Sequence, residues 1–316
     1  MQPLETPVAL IIFNRPEHTR SVFARIREAR PKQLFIISDG ARNESEKSLC
    51  ETTRNVTENI DWDCAVQRNY SDTNMGCDPR VSSGISWVFQ HVDRAIILED
   101  DCVPHPDFFP FSQELLEKYK DDERVMHISG NNYHKDRLPS ISQSYYFSRI
   151  PLIHGWATWR RAWKYFDQTL SVWPHISENH RLASLLKDPA VLAHWEYKFN
   201  HYYTGALTNW DGKWVFACLT NNGLCIVPRV NLVTNIGYGE GATHTADSDN
   251  EKAGIPTFPL PLPLIHPITI QPSAAMDADT FKYTFGINRA PHQQILSFVR
   301  QHFPALFRQI RKIKNG

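Results

Sequence analysis

Residues 95–109 read AIILEDDCVPHPDFF, and the fold turns on how this stretch is taken. The apolar run Ala95-Ile96-Ile97-Leu98 stops at three adjacent carboxylates, Glu99, Asp100 and Asp101. A short β-branched run of this kind suits a strand buried on both faces of a sheet. Three like charges at the end of such a strand repel one another, so they require a cation or raised pKa values. Hard divalent ions take oxygen ligands of this type and often carry diphosphates. Pro104 and Pro106 then break the strand, and Phe108-Phe109 returns the chain to a core. The stretch therefore predicts a metal–diphosphate site at the carboxyl end of a strand. An exposed acidic turn is the plainer alternative.

Upstream, strand and helix signals alternate. Val8–Phe13 reads as a buried strand, and Glu17–Arg30 as a helix with Val22, Phe23 and Ile26 inward. Leu34–Ser38 is a second strand, Ser45–Asn59 a polar helix and Cys64–Arg68 a third strand. The helix Pro79–Val92 leads into the strand before Glu99. This alternation predicts an α/β fold with a mostly parallel central sheet flanked by helices. Ligands of such sheets sit beyond the carboxyl ends of the strands. Asn14-Arg15, Asp39 and Glu99-Asp100-Asp101 all fall there.

Downstream the pattern is less regular. Val125–Ser129 predicts a strand. His154–Trp163 predicts an aromatic-rich helical stretch, and Leu182–Tyr203 a largely helical one. Residues 231–245, NLVTNIGYGEGATHT, predict a glycine-rich loop able to act as a lid, and FPLPLPLIHP an extended segment. Two parts result: a catalytic domain over 1–250, and over 251–316 a Pro-rich segment with a basic amphipathic helix near Pro291–Lys314. That helix could touch an anionic membrane surface or dock on the domain.

The 316 residues carry 34 basic and 34 acidic side chains, a balance that gives no support for nucleic-acid binding. Six cysteines without a C-x-x-C pair suit free thiols in a reducing compartment. The N-terminal stretch shows no signal peptide or membrane anchor, so the expectation is a cytoplasmic protein, with peripheral contact at the inner membrane face if the terminal helix binds lipid.

Assembled in order, these segments resemble the N-acetylglucosaminyltransferase I family, inverting transferases of the GT-A fold. LIIFNRPEHTR resembles that family's first strand, FIISDG its second, and ILEDDCVPHPDFF its acidic segment. IPLIHGWATWRRAW is similar to its Gly-Trp segment, NWDGKW to its catalytic stretch, and PRVNLVTNIGYGEGATHT to the loop over the donor. The chain departs from the family where paired aspartates are replaced by Asp211-Gly212-Lys213. The resemblance implies a GT-A nucleotide-diphospho-sugar transferase and a bacterial-type soluble relative. It implies transfer of N-acetylglucosamine from its UDP derivative to a glycan, lipid-linked or protein acceptor. It makes Asp101 a ligand of Mn²⁺ or Mg²⁺, Arg15 a nucleotide contact and Asp39 the reader of the base. Glu99 and Asp100 would take ribose and sugar hydroxyls, Gly155 and Trp156 line the donor, and Asp211 is the general base.

From the residues themselves, Arg15 and Arg80 are forked donors suited to base or phosphate. Trp210 and Trp214 would desolvate Asp211, which alternatively spells an Asp-Gly turn. Glu196 and Glu240 stand in reserve as bases. His244 is a further candidate metal ligand, and Trp156 or Trp159 could stack on a sugar. Two competitors remain: a nucleotidyltransferase that makes nucleotide sugars, and a non-catalytic carbohydrate-binding protein on a transferase fold. Against the first, Phe13-Asn14-Arg15-Pro16-Glu17 follows the first strand where a glycine-rich loop is needed. No P-loop motif is present.

Overall fold

A computed structural model of the chain describes residues 3–134, 141–238 and 253–287. In chain order the elements begin with β1 (Val8–Ile12), α1 (Pro16–Ala29), β2 (Gln33–Ser38), α2 (Glu44–Asn55), β3 (Ala65–Tyr70), α3 (Cys77–His91) and β4 (Arg94–Glu99). They continue with β5 (Cys102–Pro104), α4 (Phe108–Lys118), β6 (Val125–Ser129), β7 (Tyr145–Ser148), β8 (Trp156–Trp159) and α5 (Arg160–Trp163). Then come α6 (Trp173–Glu178), α7 (Arg181–Leu185), α8 (Pro189–Tyr203), α9 (Trp210–Thr220), β9 (Leu224–Pro228), β10 (Val233–Asn235) and α10 (Ala274–Asp279), which runs into a π-helical turn at Thr280–Thr284.

Eight of these strands form one sheet in the order β3-β2-β1-β4-β8-β6-β9-β7. β1 pairs parallel with β2 and β4, and β2 with β3. β8 runs antiparallel between β4 and β6, and β7 runs antiparallel on β9. The fold is the mostly parallel, helix-flanked α/β sheet that the alternation predicts. Its strands are apolar on both sides because both sides are covered. Val8, Leu10 and Ile12 enter one core layer while Ala9 and Ile11 enter the other. β2 and β4 divide in the same way, with Ile96 and Leu98 on one side and Ala95 and Ile97 on the other. A third layer of Trp173, Trp195, Phe199 and Phe216 lies beyond the far half of the sheet.

Two readings change. His154–Trp163 is not one helical stretch: Trp156–Trp159 is the strand β8, and α5 begins at Arg160. The tryptophans at 156, 159 and 163 have helical spacing, but Trp156 and Trp159 project into opposite core layers. Pairing with β4 and β6 overrides the local period. Asp211-Gly212 is not a turn but the first turn of α9. Gly212 permits close helix packing there, since a Cβ would lie 2.2 Å from the Tyr202 ring on α8. Val215–Leu219 continues α9.

Residues 253–287 wrap back onto the domain. Leu260 and Leu264 are buried in the first layer, and Met276 and Phe281 in the third. Buried Asp277 accepts a hydrogen bond from Ser148 Oγ at 2.6 Å. Burial pushes its carboxyl up to about 6. The terminal helix expected at Pro291–Lys314 lies outside the described residues. No helix among the described residues is long and apolar enough to cross a membrane.

Candidate active site

A cavity of about 1090 Å³ opens at the carboxyl edge of β1, β2 and β4. Its floor is built from the loops that leave these strands. β1 ends at Ile12 and α1 starts at Pro16, whose fixed φ and missing N–H suit the first helical position. The three-residue link places Arg15 at the helix start, facing the end of β4. Arg15 Nη1 lies 3.2 Å from Asp101 Oδ2 and 3.8 Å from Asp100 Oδ1. The Phe13 amide donates to Asp100 Oδ2 at 3.3 Å.

The acidic triplet carries the repulsion expected of it. Burial, then the charges of Asp101, Asp100 and Asp211, raise the Glu99 pKa well above the carboxylate range. Burial and Asp101 push Asp100 up to about 7, against the opposing pull of Arg15. Asp211, in the first turn of α9, is near enough for its charge to be felt by Glu99, by Cys77 and by Tyr202. Both acid groups line the same cavity.

Asp101 is held from a second side. Asn235 Nδ2 donates to its Oδ1 at 3.1 Å, and the Ile236 amide to its backbone carbonyl at 2.9 Å. Gly237 then passes so closely that a Cβ would lie 2.1 Å from Asp101 Oδ2. The glycine expected to supply a hinge is thus required for a close approach. Neither Asn235 nor the role of Gly237 was marked by the sequence pattern. β5 and β10, which create the contact, are three-residue strands paired across more than a hundred residues.

Other candidates fall in different places. Asp39 lies in the cavity wall, with its carboxylate accepting from the amides of Gly40, Met75 and Gly76 and from Asn74 Nδ2 at 2.9–3.1 Å. Those four donors spend it on shaping the loop before α3. Arg80 lines the cavity but is buried, its guanidinium donating to Ser38 O at 3.2 Å and Asn69 Oδ1 at 2.9 Å. Asn14 donates to Glu46 Oε1 at 3.2 Å, which ties the β1 exit to α2. Trp156, 1 % exposed, stacks on His127 and Trp210 within the core and does not line the cavity. Gly155 has φ +66° and accepts from the Gly130 amide at 2.7 Å, a structural contact away from the cavity lining. Trp159 is buried, donating to Leu116 O. Glu196 is half-buried on α8 outside the cavity lining, and Glu240 and His244 lie outside the described residues.

Among the described residues no three acidic, histidine or cysteine side chains converge to chelate an ion. The oxygen-rich end of β4 nonetheless fits a hard divalent cation of the kind that keeps water and phosphate ligands and takes only one or two carboxylates. Burial, with the neighbouring carboxylates, raises the Glu99 and Asp100 pKa values there, and a cation would relieve that repulsion.

No family model matches the chain, and no curated protein matches it. Solved structures similar to it include UDP-glucose pyrophosphorylase complexed with UDP-glucose, at 9 % identity and TM-score 0.31, covering 51 % of this chain and 79 % of that one. Another is 4-diphosphocytidyl-2C-methyl-D-erythritol synthase from Anaerococcus prevotii, at 10 % identity and TM-score 0.33, covering 53 % and 77 %. Likeness this distant says nothing of reaction or substrate.

Proposed function

We propose that the chain is a transferase acting on a nucleoside-diphosphate sugar, and that it moves the sugar to an acceptor hydroxyl with inversion. The observation that carries this reading is that Asp211 and the Glu99–Asp101 edge line one cavity at the carboxyl ends of the strands, close enough for the Asp211 charge to act on Glu99. Arg15 is placed to donate to a diphosphate. Asp101, with a second oxygen from the same edge, would hold Mn²⁺ or Mg²⁺. Such an ion, when bound, neutralises the departing diphosphate. Asp211 accepts the proton of the acceptor hydroxyl as that oxygen attacks the anomeric carbon. One base without a covalent intermediate gives inversion. Glu99, beside Asp101, would form a hydrogen bond with a sugar or ribose hydroxyl. UDP and N-acetylglucosamine are the donor parts to test first, with a glycan, lipid-linked or protein acceptor.

The second reading is nucleotidyl transfer, which builds the nucleotide sugar from a nucleoside triphosphate and a sugar phosphate. The names of both solved structures point that way, though their likeness bears only on the fold. The glycine-free link between β1 and α1 offers no loop to wrap a triphosphate. UDP release from UDP-N-acetylglucosamine with Mn²⁺, measured beside pyrophosphate release from UTP with a sugar 1-phosphate, separates the readings. Asp211→Asn should lower UDP release to acceptor by about 10²–10⁴ while donor affinity holds. Wild-type turnover in that variant removes Asp211 from the mechanism, and pyrophosphate release alone establishes the second reading.

A further inference from the structure

The cavity exceeds what one ligand of ordinary size fills, since single-ligand pockets run to about 300–1,000 Å³. Its acidic end is accounted for by the donor reading. A further part of the lining is one face of α8, where His194, Trp195, Lys198 and Tyr202 all line the cavity. Their spacing of one, four and eight residues from His194 keeps them on one side of a helix. Phe285, delivered by the π-helical turn, packs against this face, with ring centroids 5.9 Å from His194 and 5.5 Å from Trp195.

Two features of this wall ask for a ligand. Lys198 is half-buried and has no ion pair or hydrogen bond to the described residues. Its ammonium is therefore available to an anionic group that enters the cavity. Trp195 is 3 % exposed, and among the described residues neither its Nε1 nor His194 Nε2 beside it has a hydrogen-bond partner. Buried polar atoms are normally satisfied, so both are open to oxygens brought in by a ligand at this face. Burial and the Lys198 charge push His194 down to about 4, so the imidazole is neutral near pH 7 and Lys198 carries the positive charge of this face.

We infer that the α8 wall is a second-substrate subsite for an anionic saccharide, whose carboxylate or phosphate pairs with Lys198 while its ring stacks near Phe285. This rests on the two-substrate reading of the cavity and names the class of its acceptor. An acidic sugar would make a charge-assisted hydrogen bond with Lys198 that a neutral one cannot.

The test is titration of glucuronate, glucose 6-phosphate and glucose into the full chain, followed by ligand-observed NMR, both free and with UDP and Mn²⁺. The expected result is that at least one anionic sugar binds about tenfold more tightly than glucose. Which one does so separates a carboxylate from a phosphate partner. Lys198→Gln should erase that preference, and Lys198→Arg should retain most of it. Equal binding of all three sugars, binding of none, or an unchanged preference in Lys198→Gln overturns the inference. Failure of UDP to bind while the preference persists in the free protein would instead overturn the donor reading.

Discussion

Half of the sheet, β3-β2-β1-β4, is made of parallel neighbours joined through helices, each unit close in sequence to the next. The other half, β8-β6-β9-β7, is stitched from distant pieces: Ile128 of β6 pairs with Ile226 of β9, and β8 turns against the strands beside it. Arg15, Asp39 and the acids of β4 belong to the first half, at strand ends where loops vary without disturbing the core. The second half supplies Asp211 and the α8 wall, and it is held by buried polar clasps. Lys213 Nζ meets Asp78 Oδ2 at 2.5 Å, with both side chains under 9 % exposed. His127 sits between Trp214, whose Nε1 donates to its Nδ1 at 3.1 Å, and the Leu152 carbonyl, which accepts from its Nε2 at 3.0 Å. The contrast implies that single changes cost most where distant segments are clasped and least where local units suffice.

The largest effect belongs to the Lys213–Asp78 clasp, which fixes α9, and with it Asp211, to the start of α3. Lys213→Met strands a buried carboxylate and should cost about 3–5 kcal/mol in urea unfolding, most of it recovered when Asp78 is also replaced by Met. A loss below about 1 kcal/mol would break the contrast between the halves.

A smaller effect follows from His127. Burial pushes its imidazole down to about 3. The unfolded chain binds this proton from about pH 6.5 downward, whereas the folded chain refuses it until about pH 3. Stability from this group is therefore complete above pH 6.5 and lost as pH falls toward 3. Between pH 7 and 5 the loss is about 2 kcal/mol. His127→Gln should flatten that slope, and an unchanged slope would assign the acid sensitivity elsewhere.

The smallest effect lies in the parallel half. Asn43 caps α2, its side chain accepting from the Glu46 amide at 3.2 Å. Asn43→Ala should cost about 1 kcal/mol by urea unfolding, and a loss as large as that of Lys213→Met would erase the distinction.

The same division governs what could be read in advance. Strands β1, β2 and β4 announce themselves through unbroken apolar runs that end in polar residues, so the sheet edge and its acids were legible. β8 was not, because Trp156, Trp159 and Trp163 mimic a helical period that only pairing with β4 and β6 overrules. The resemblance placed Trp156 and Gly155 at the donor, yet both build the core and its joints. The clamp of Asn235 and Gly237 on Asp101 left no local trace, since it joins segments some 134 residues apart. Lys213 looked like a departure from a motif; its partner, Asp78, is distant in sequence and close only in the fold.

The central claim is that the acidic end of β4, with Arg15, holds a nucleoside diphosphate through a divalent ion. Calorimetry of UDP binding with and without Mn²⁺, in the wild type and in Asp101→Asn, tests it most directly. The account predicts that Mn²⁺ tightens UDP binding to the wild type by about tenfold or more. Asp101→Asn should lose that increment while unfolding at a comparable urea concentration. Equal UDP affinity with and without Mn²⁺ in the wild-type chain would contradict it.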